Sequence, residues 1–187
     1  APELEITCDV LVEFPQAGVI VDSFEKLCDD DWEMYKELIQ FGYVENTIGY
    51  GIKNDDVSLL SEFAIQGFDM KDSIEICIYE TIAGSEMSLI NAAAFYGAVE
   101  CFNTLLLNGV KLEEETCEYA VYGGNEIIIN KCREMFPNSP LLVRAAVRSS
   151  RNDLLVDLIG KAIPANVSAY DTIDVHNYFA YDFLLGR

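Results

Sequence analysis

Any catalysis by this chain would have to draw on few side chains. His176 is the only histidine, so a Ser–His–Asp or Cys–His mechanism has a single candidate base. It lies in the least regular stretch near the carboxyl end, where an exposed polar turn residue is the expectation. The runs Asp29-Asp30-Asp31 and Glu113-Glu114-Glu115 bring carboxylates together, as general acid–base work requires. Both precede helix-forming segments, where acids favour the positive end of the helix dipole. Neither has the alternate spacing with a following Gly and Glu that a calcium loop needs. Gly123-Gly124 lacks a nearby Lys-Ser or Lys-Thr, so it does not read as a phosphate-binding loop.

Six cysteines, Cys8, Cys28, Cys77, Cys101, Cys117 and Cys132, are scattered without a Cys-x-x-Cys pair. Several fall on apolar helix faces, where a thiol acts as a small hydrophobe. Reduced, buried thiols are expected rather than disulfides or a metal site. Arg144, Arg148 and Arg151 sit at i, i+4 and i+7, on one side of a helix and its turn. In so acidic a chain they are expected to pair with carboxylates of a neighbouring segment. The alternative is a basic patch for an acidic partner segment, such as tubulin-like acidic tails. These residue types predict no catalytic residues, no metal and no cofactor.

The elements that position these side chains are clearest in Ser88-Leu-Ile-Asn-Ala-Ala-Ala-Phe-Tyr-Gly97, which continues Ala-Val-Glu100-Cys-Phe-Asn-Thr-Leu-Leu-Leu-Asn-Gly109. Leu89, Ala92, Ala93 and Tyr96 recur at helical spacing and form one face of a first helix. Val99, Phe102, Leu105 and Leu106 form the face of a second. Gly97 reverses the chain between them, because a residue without Cβ reaches left-handed dihedrals unstrained. Gly109 is placed to end the second helix in a left-handed C′ position.

The pattern recurs. Glu118-Tyr-Ala120-Val-Tyr-Gly123-Gly-Asn-Glu126 puts a turn glycine, Gly123, one period after Gly97. Leu142 through Ile159 repeats the unit after nearly the same interval, and a degraded copy runs from Ala169 through His176 to Leu185. Upstream, Asp55 to Gly67 and Asp30 to Gly42 fit second halves. Each closes on a glycine at the same remove from its turn position as Gly109 from Gly97. Self-similarity at a period of about 26 residues marks a stacked repeat protein.

The Ser88–Gly109 line resembles an ankyrin repeat. Ser88 falls where that family prefers Thr, Ile90 at its Leu and Asn91 at its His. Gly97, Glu100, Leu105, Leu106 and Gly109 match, while Leu89 and Asn91 depart from the family's helix-start motif. With repeats this short, the chain resembles a divergent, shortened type found in lineage-expanded proteins of unicellular parasites. The resemblance implies an all-α helix-turn-helix solenoid of about five or six short repeats over residues 23–187. It also implies a non-catalytic adaptor or scaffold that binds a protein partner through a concave surface of first helices and loops. On that surface Asn91, Phe95, Glu118, Tyr122, Arg144 and Arg148 are the expected partner-binding residues, aromatic and arginine side chains carrying much of the energy of interfaces.

The formal charge is −20, which argues against nucleic acid, since phosphate neutralisation needs clustered Lys and Arg. Residues 1–90 carry 20 acids and 4 bases, net −16, and residues 91–187 carry 12 and 8, net −4. The uneven charge reads either as a solvated face or as a surface that meets a basic partner. No apolar run approaches the roughly 18 residues of a membrane span, and no signal-peptide pattern opens the chain. A cytoplasmic setting, or one attached to the cytoskeleton, is expected, with no membrane partner.

Two segments fall outside the repeat. In residues 1–22, Val10-Leu-Val12 and Val19-Ile-Val21 flank Pro15 and Gly18, an irregular or extended cap for the first exposed repeat. The alternative is a strand that docks on another chain. Residues 68–87 interrupt the period with about 16 extra residues, in which Ile74, Ile76 and Ile78 alternate as in a strand. This edge material motivates a second reading, a structural subunit permanently docked in a large cytoskeletal or ciliary assembly.

Overall fold

The structure, a computed structural model, describes Gln40 and residues 42–75, 86–159 and 170–186. The expected cap at 1–22, the Asp29-Asp30-Asp31 cluster and the Ile76 and Ile78 part of the insertion lie outside these residues. The described chain is mostly helical: α1 (Ile48–Lys53), α2 (Val57–Ile65), α3 (Leu89–Tyr96), α4 (Val99–Leu107), α5 (Thr116–Gly123), α6 (Glu126–Met135), α7 (Pro140–Arg148), α8 (Asn152–Ile159), α9 (Tyr170–Ile173) and α10 (Tyr178–Leu185). Between α2 and α3, β1 (Ser73–Glu75) and β2 (Glu86–Ser88) pair antiparallel, with Ile74 opposite Met87. Both of those side chains are buried while their neighbours Ser73, Glu75 and Glu86 face solvent, the period-2 pattern of a half-buried ribbon. Among the described residues no helix is long and apolar enough to cross a membrane.

The helices come in consecutive pairs, and each pair packs on the next. First helices α1, α3, α5, α7 and α9 touch in succession; second helices α2 and α4, α4 and α6, and α8 and α10 do likewise. Alanines make the close approach of first helices possible: Ala92, Ala93, Ala94, Ala120, Ala145 and Ala146 are buried at the centre of the stack. The second helices add the bulk, with Phe102, Leu105, Ile128, Ile129 and Leu155 fully buried.

One turn joins the two helices of every pair. Its left-handed residue is Asp55 (φ 56°), Gly97 (φ 69°), Gly124 (φ 75°), Ser150 (φ 56°) or His176 (φ 56°). From Gly97 onward the interval between successive turns is constant to within one position, Gly97 to Gly124, Gly124 to Ser150 and Ser150 to His176. At four of the five turns the next amide donates to a carbonyl five positions earlier: Asp56 to Gly51, Ala98 to Ala93, Arg151 to Ala146 and Asn177 to Thr172, at 2.8–2.9 Å. That is the Schellman closure, which satisfies carbonyls the helix end leaves open. His176 is thus an exposed turn residue, as expected. The longer interval from Asp55 to Gly97 is one period plus the β-hairpin insertion.

The turn glycine of the third pair is Gly124, not Gly123. Gly123 ends α5, and a Cβ there would stand 2.2 Å from the Ala94 carbonyl oxygen. It is glycine because α3 and α5 cross at that point. The Glu113-Glu114-Glu115 run also differs from expectation: Glu115 occupies the α5 N-cap but makes no side-chain capping bond.

Second-helix ends repeat the left-handed device at Gly67 (φ 92°) and Gly109 (φ 82°), which hold the same register behind Asp55 and Gly97. Nothing lies near a Cβ built on Gly109, so only backbone strain opposes substitution there. Gly109→Val is expected to cost about 1–2 kcal/mol in urea unfolding, the usual penalty of the left-handed region.

Cys101, Cys117 and Cys132 are buried free thiols. Burial, and then the Asp55 carboxylate, push the Cys101 thiol from its ordinary 9.0 up to about 12. The Cys117 thiol beside it, and then burial, push Cys132 up as well. A raised folded-state pKa contributes stability that is complete below the unfolded value and is lost as pH rises through the folded one. The urea midpoint is therefore expected to drop as pH rises from about 9 towards 12, and Cys101→Ala to make that drop shallower.

Candidate functional site

Numbering from the left-handed residue of each turn gives the stack a common register. Two positions before it stand Phe95, Tyr122 and Arg148; six before it stand Asn91, Glu118 and Arg144. The six expected partner-binding residues therefore occupy two rows, one helical turn apart on each first helix, running across α3, α5 and α7. Positions four apart lie on one helix face, which aligns the rows side by side.

Where they run over α5 and α7 the rows form one polar cluster. Glu118 accepts a hydrogen bond from Tyr122 Oη at 2.9 Å and from Arg144 Nη2 at 3.0 Å, and pairs with Arg148 Nη1 at 3.6 Å. The guanidinium-bearing side chains stay about half exposed, at 44% and 52%. Exposed pairs of this kind contribute little to stability, about 0–1 kcal/mol, but they hold two cations beside a tyrosine. Burial, and then the Glu118 carboxylate, push the Tyr122 phenol up. Arg151 bonds Glu126 at 2.6 Å and Arg133 bonds Asp157 at 2.7 Å. The pairing of Arg144, Arg148 and Arg151 with acids of a neighbouring segment, expected in so acidic a chain, is what the structure contains.

Asn91 departs from its expected exposure. It is buried at 8% exposure, and its Oδ1 accepts the Thr116 hydroxyl at 2.7 Å across the α3–α5 boundary. The reason is the tight alanine packing of α3, which draws this end of the helix against α5. The helix start itself remains capped, Ser88 Oγ accepting the Asn91 amide.

Three contributors escaped sequence reasoning. Tyr119 is half-buried beside Glu118, and burial followed by the Glu115 and Glu118 carboxylates pushes its phenol up. Lys53 continues the first row onto α1, two positions before Asp55, with Nζ 5.2 Å from the Tyr96 ring centroid. Tyr43 reaches in from outside the pair, its hydroxyl 3.0 Å from that of Tyr96. The register that Gly67 shares with Gly109 was the available signal for Lys53; nothing local marks Tyr43. Phe95 sits edge-on to Tyr96 at 5.2 Å, so the first row reads cation, aromatic, aromatic, cation.

Among the described residues no group of three or more His, Cys, Asp or Glu side chains is placed to hold a metal ion. Compared with known proteins, the chain matches no family model, no curated protein and no solved structure.

Proposed function

We propose that this chain is a non-catalytic protein-interaction module of the ankyrin type, an adaptor or scaffold that docks a partner across its first helices. The observation that carries the reading is the register of the two rows. Helix pairs recurring at a near-constant interval around left-handed turns, each in contact with its neighbours, are what a solenoid requires. In such a stack, equivalent positions form continuous lines on one face. The first row here, Lys53, Phe95, Tyr122 and Arg148, offers the residue types that dominate interfaces. Packed helices lie about 8–10 Å apart, so the row runs for roughly 27 Å. At about 3.3 Å per residue an extended partner segment of some eight residues covers it. The surplus acids of residues 1–90, net −16, suit a basic surface elsewhere on the same partner.

The test is affinity purification from the cells that express the protein, comparing wild type, Tyr122→Ala/Arg148→Glu and Leu107→Ser. Leu107 is 88% exposed on the second helix α4, away from the rows. The expected result is one partner set retained by Leu107→Ser and lost by the double variant, with circular dichroism unchanged in both. Equal recovery by all three proteins would sink the reading. Partners released by high salt favour the adaptor; a salt-resistant set of cytoskeletal subunits favours the structural subunit.

A further inference from the structure

Among the described residues, six of the eight basic side chains are engaged within the stack. Arg133, Arg144, Arg148 and Arg151 pair with carboxylates, Lys131 bonds Asn103, and Lys53 lies against tyrosine rings. Lys71 and Lys111 differ: among the described residues their ammonium groups have no ion-pair or hydrogen-bond partner. Both line the same cleft, a space of about 360 Å³ between the base of the β-hairpin and the loop after α4. Chance placement of two unengaged lysines in one cleft is an odd outcome when acids outnumber bases 32 to 12.

Asn91 completes the set. It lines this cleft while being only 8% exposed. Its Oδ1 is occupied by Thr116, whereas its Nδ2 has no partner among the described residues. No buried side-chain polar atom there is shut away from solvent without a partner, so this donor opens onto the cleft. A donor that meets only cleft water is available to a ligand acceptor that displaces that water. The Ser88 hydroxyl lies on the same wall, and Glu113 is the one acid of the lining, leaving the cleft net positive.

We propose that this cleft binds a phosphoryl group, held between the Lys71 and Lys111 ammoniums with Asn91 Nδ2 as a fixed donor. A lysine ammonium binds phosphate oxygens as a compact point charge, and two of them match the charge of about −1.5 to −2 that a phosphate monoester carries at neutral pH better than the single charge of a carboxylate. The site shares one residue, Asn91, with the second row, while Lys71 and Lys111 lie outside both rows, so the lysine variants test it without touching the protein-binding residues proposed above.

The experiment is a titration of the 15N-labelled chain with inorganic phosphate, with a blocked phosphoserine tripeptide and with its unphosphorylated parent. Saturable amide shifts are expected at residues 88–91 and 109–113 with the two phosphorylated probes and not with the parent. Both lysines are exposed, so Lys71→Met/Lys111→Met keeps the fold, verified in the same spectra, and weakens binding about tenfold or more. Tighter binding of the phosphopeptide than of phosphate assigns the group to a phosphorylated protein segment; equal binding assigns it to a free phosphorylated small molecule. Absence of saturable shifts with either phosphorylated probe, or undiminished affinity in the double variant, overturns the proposal.

Discussion

Gly123→Ala is expected to be the most damaging glycine-to-alanine change among the described residues, lowering stability by about 3 kcal/mol or more, since overpacking in a well-packed core costs roughly 1–3 kcal/mol even when side chains can adjust. Here they cannot. The added Cβ would lie 2.2 Å from Ala94 O and 2.6 Å from Phe95 O. Both are backbone atoms at the end of α3, so no rotamer change relieves the clash. Either α5 moves away from α3 and opens the alanine-packed centre, or the third pair loses its final helical turn. Gly124→Ala is the control. That glycine is left-handed (φ 75°) and a Cβ there meets only the flexible end of Arg151, Nη1 at 3.1 Å, so about 1–2 kcal/mol of backbone strain is expected. Urea unfolding with unchanged m-values compares the two. A larger loss for Gly124→Ala than for Gly123→Ala would show that α3 and α5 do not cross at Gly123.

The second large effect lies at Asp55. The N-cap of α4 is Ala98, which has no side-chain acceptor. Its place is taken by Asp55 from the preceding pair, whose carboxylate accepts Cys101 N at 2.8 Å and Glu100 N at 3.2 Å. Asp55 also holds the left-handed position of its own turn (φ 56°). Asp55→Ala therefore removes a cap, worth about 0.5–2 kcal/mol, and places alanine in a strained conformation at about 1 kcal/mol more. We expect a total loss of about 2–3 kcal/mol from the two together. Asp55→Gly loses the cap but relieves the strain, and Asp55→Asn keeps one acceptor, so the losses should fall in the order Ala, Gly, Asn. Hydrogen exchange should show Glu100 and Cys101 losing protection first. If Asp55→Ala, which relieves no strain, matches wild type, the bridge across the hairpin insertion contributes nothing to holding the first pair on the second.

The helix pairs that carry the candidate residues were legible because helical spacing and turn position are local signals. The sequence offered Asn91, Phe95, Glu118, Tyr122, Arg144 and Arg148 as first-helix positions near loops and helix starts; their common register, two and six positions before each left-handed residue, emerges only with Gly124 and not Gly123 as the third turn. Of the unit that holds α1 the sequence reading named only the second half, Asp55 to Gly67, since Ile48-Gly-Tyr-Gly-Ile52 carries two glycines. Glycine in a helix interior costs about 1 kcal/mol relative to alanine. Here both glycines are buried by contact: a Cβ on Gly49 would fall 2.4 Å from the Tyr43 ring, and one on Gly51 would crowd Leu59. Without α1 the place of Lys53 in the first row was hidden.

Much of this architecture follows from near neighbours in the chain. Apolar periodicity, the capping residues Ser88, Asn125 and Ser139 and the glycines at Gly97 and Gly109 specify where helices run, turn and end. These preferences act within a helical turn or so, and they can be read in order along the chain. Contacts between pairs answer to a different rule. Asp55, Ser150 and His176 take left-handed dihedrals that their own preferences resist, because the packed helices on either side dictate the turn. Asn91 is buried on Thr116 and Gly123 is pressed against Ala94 because partners a whole repeat away in the chain close on them. Local preference is worth about 1 kcal/mol or less per residue, and burial of the alanine-lined interface outweighs it.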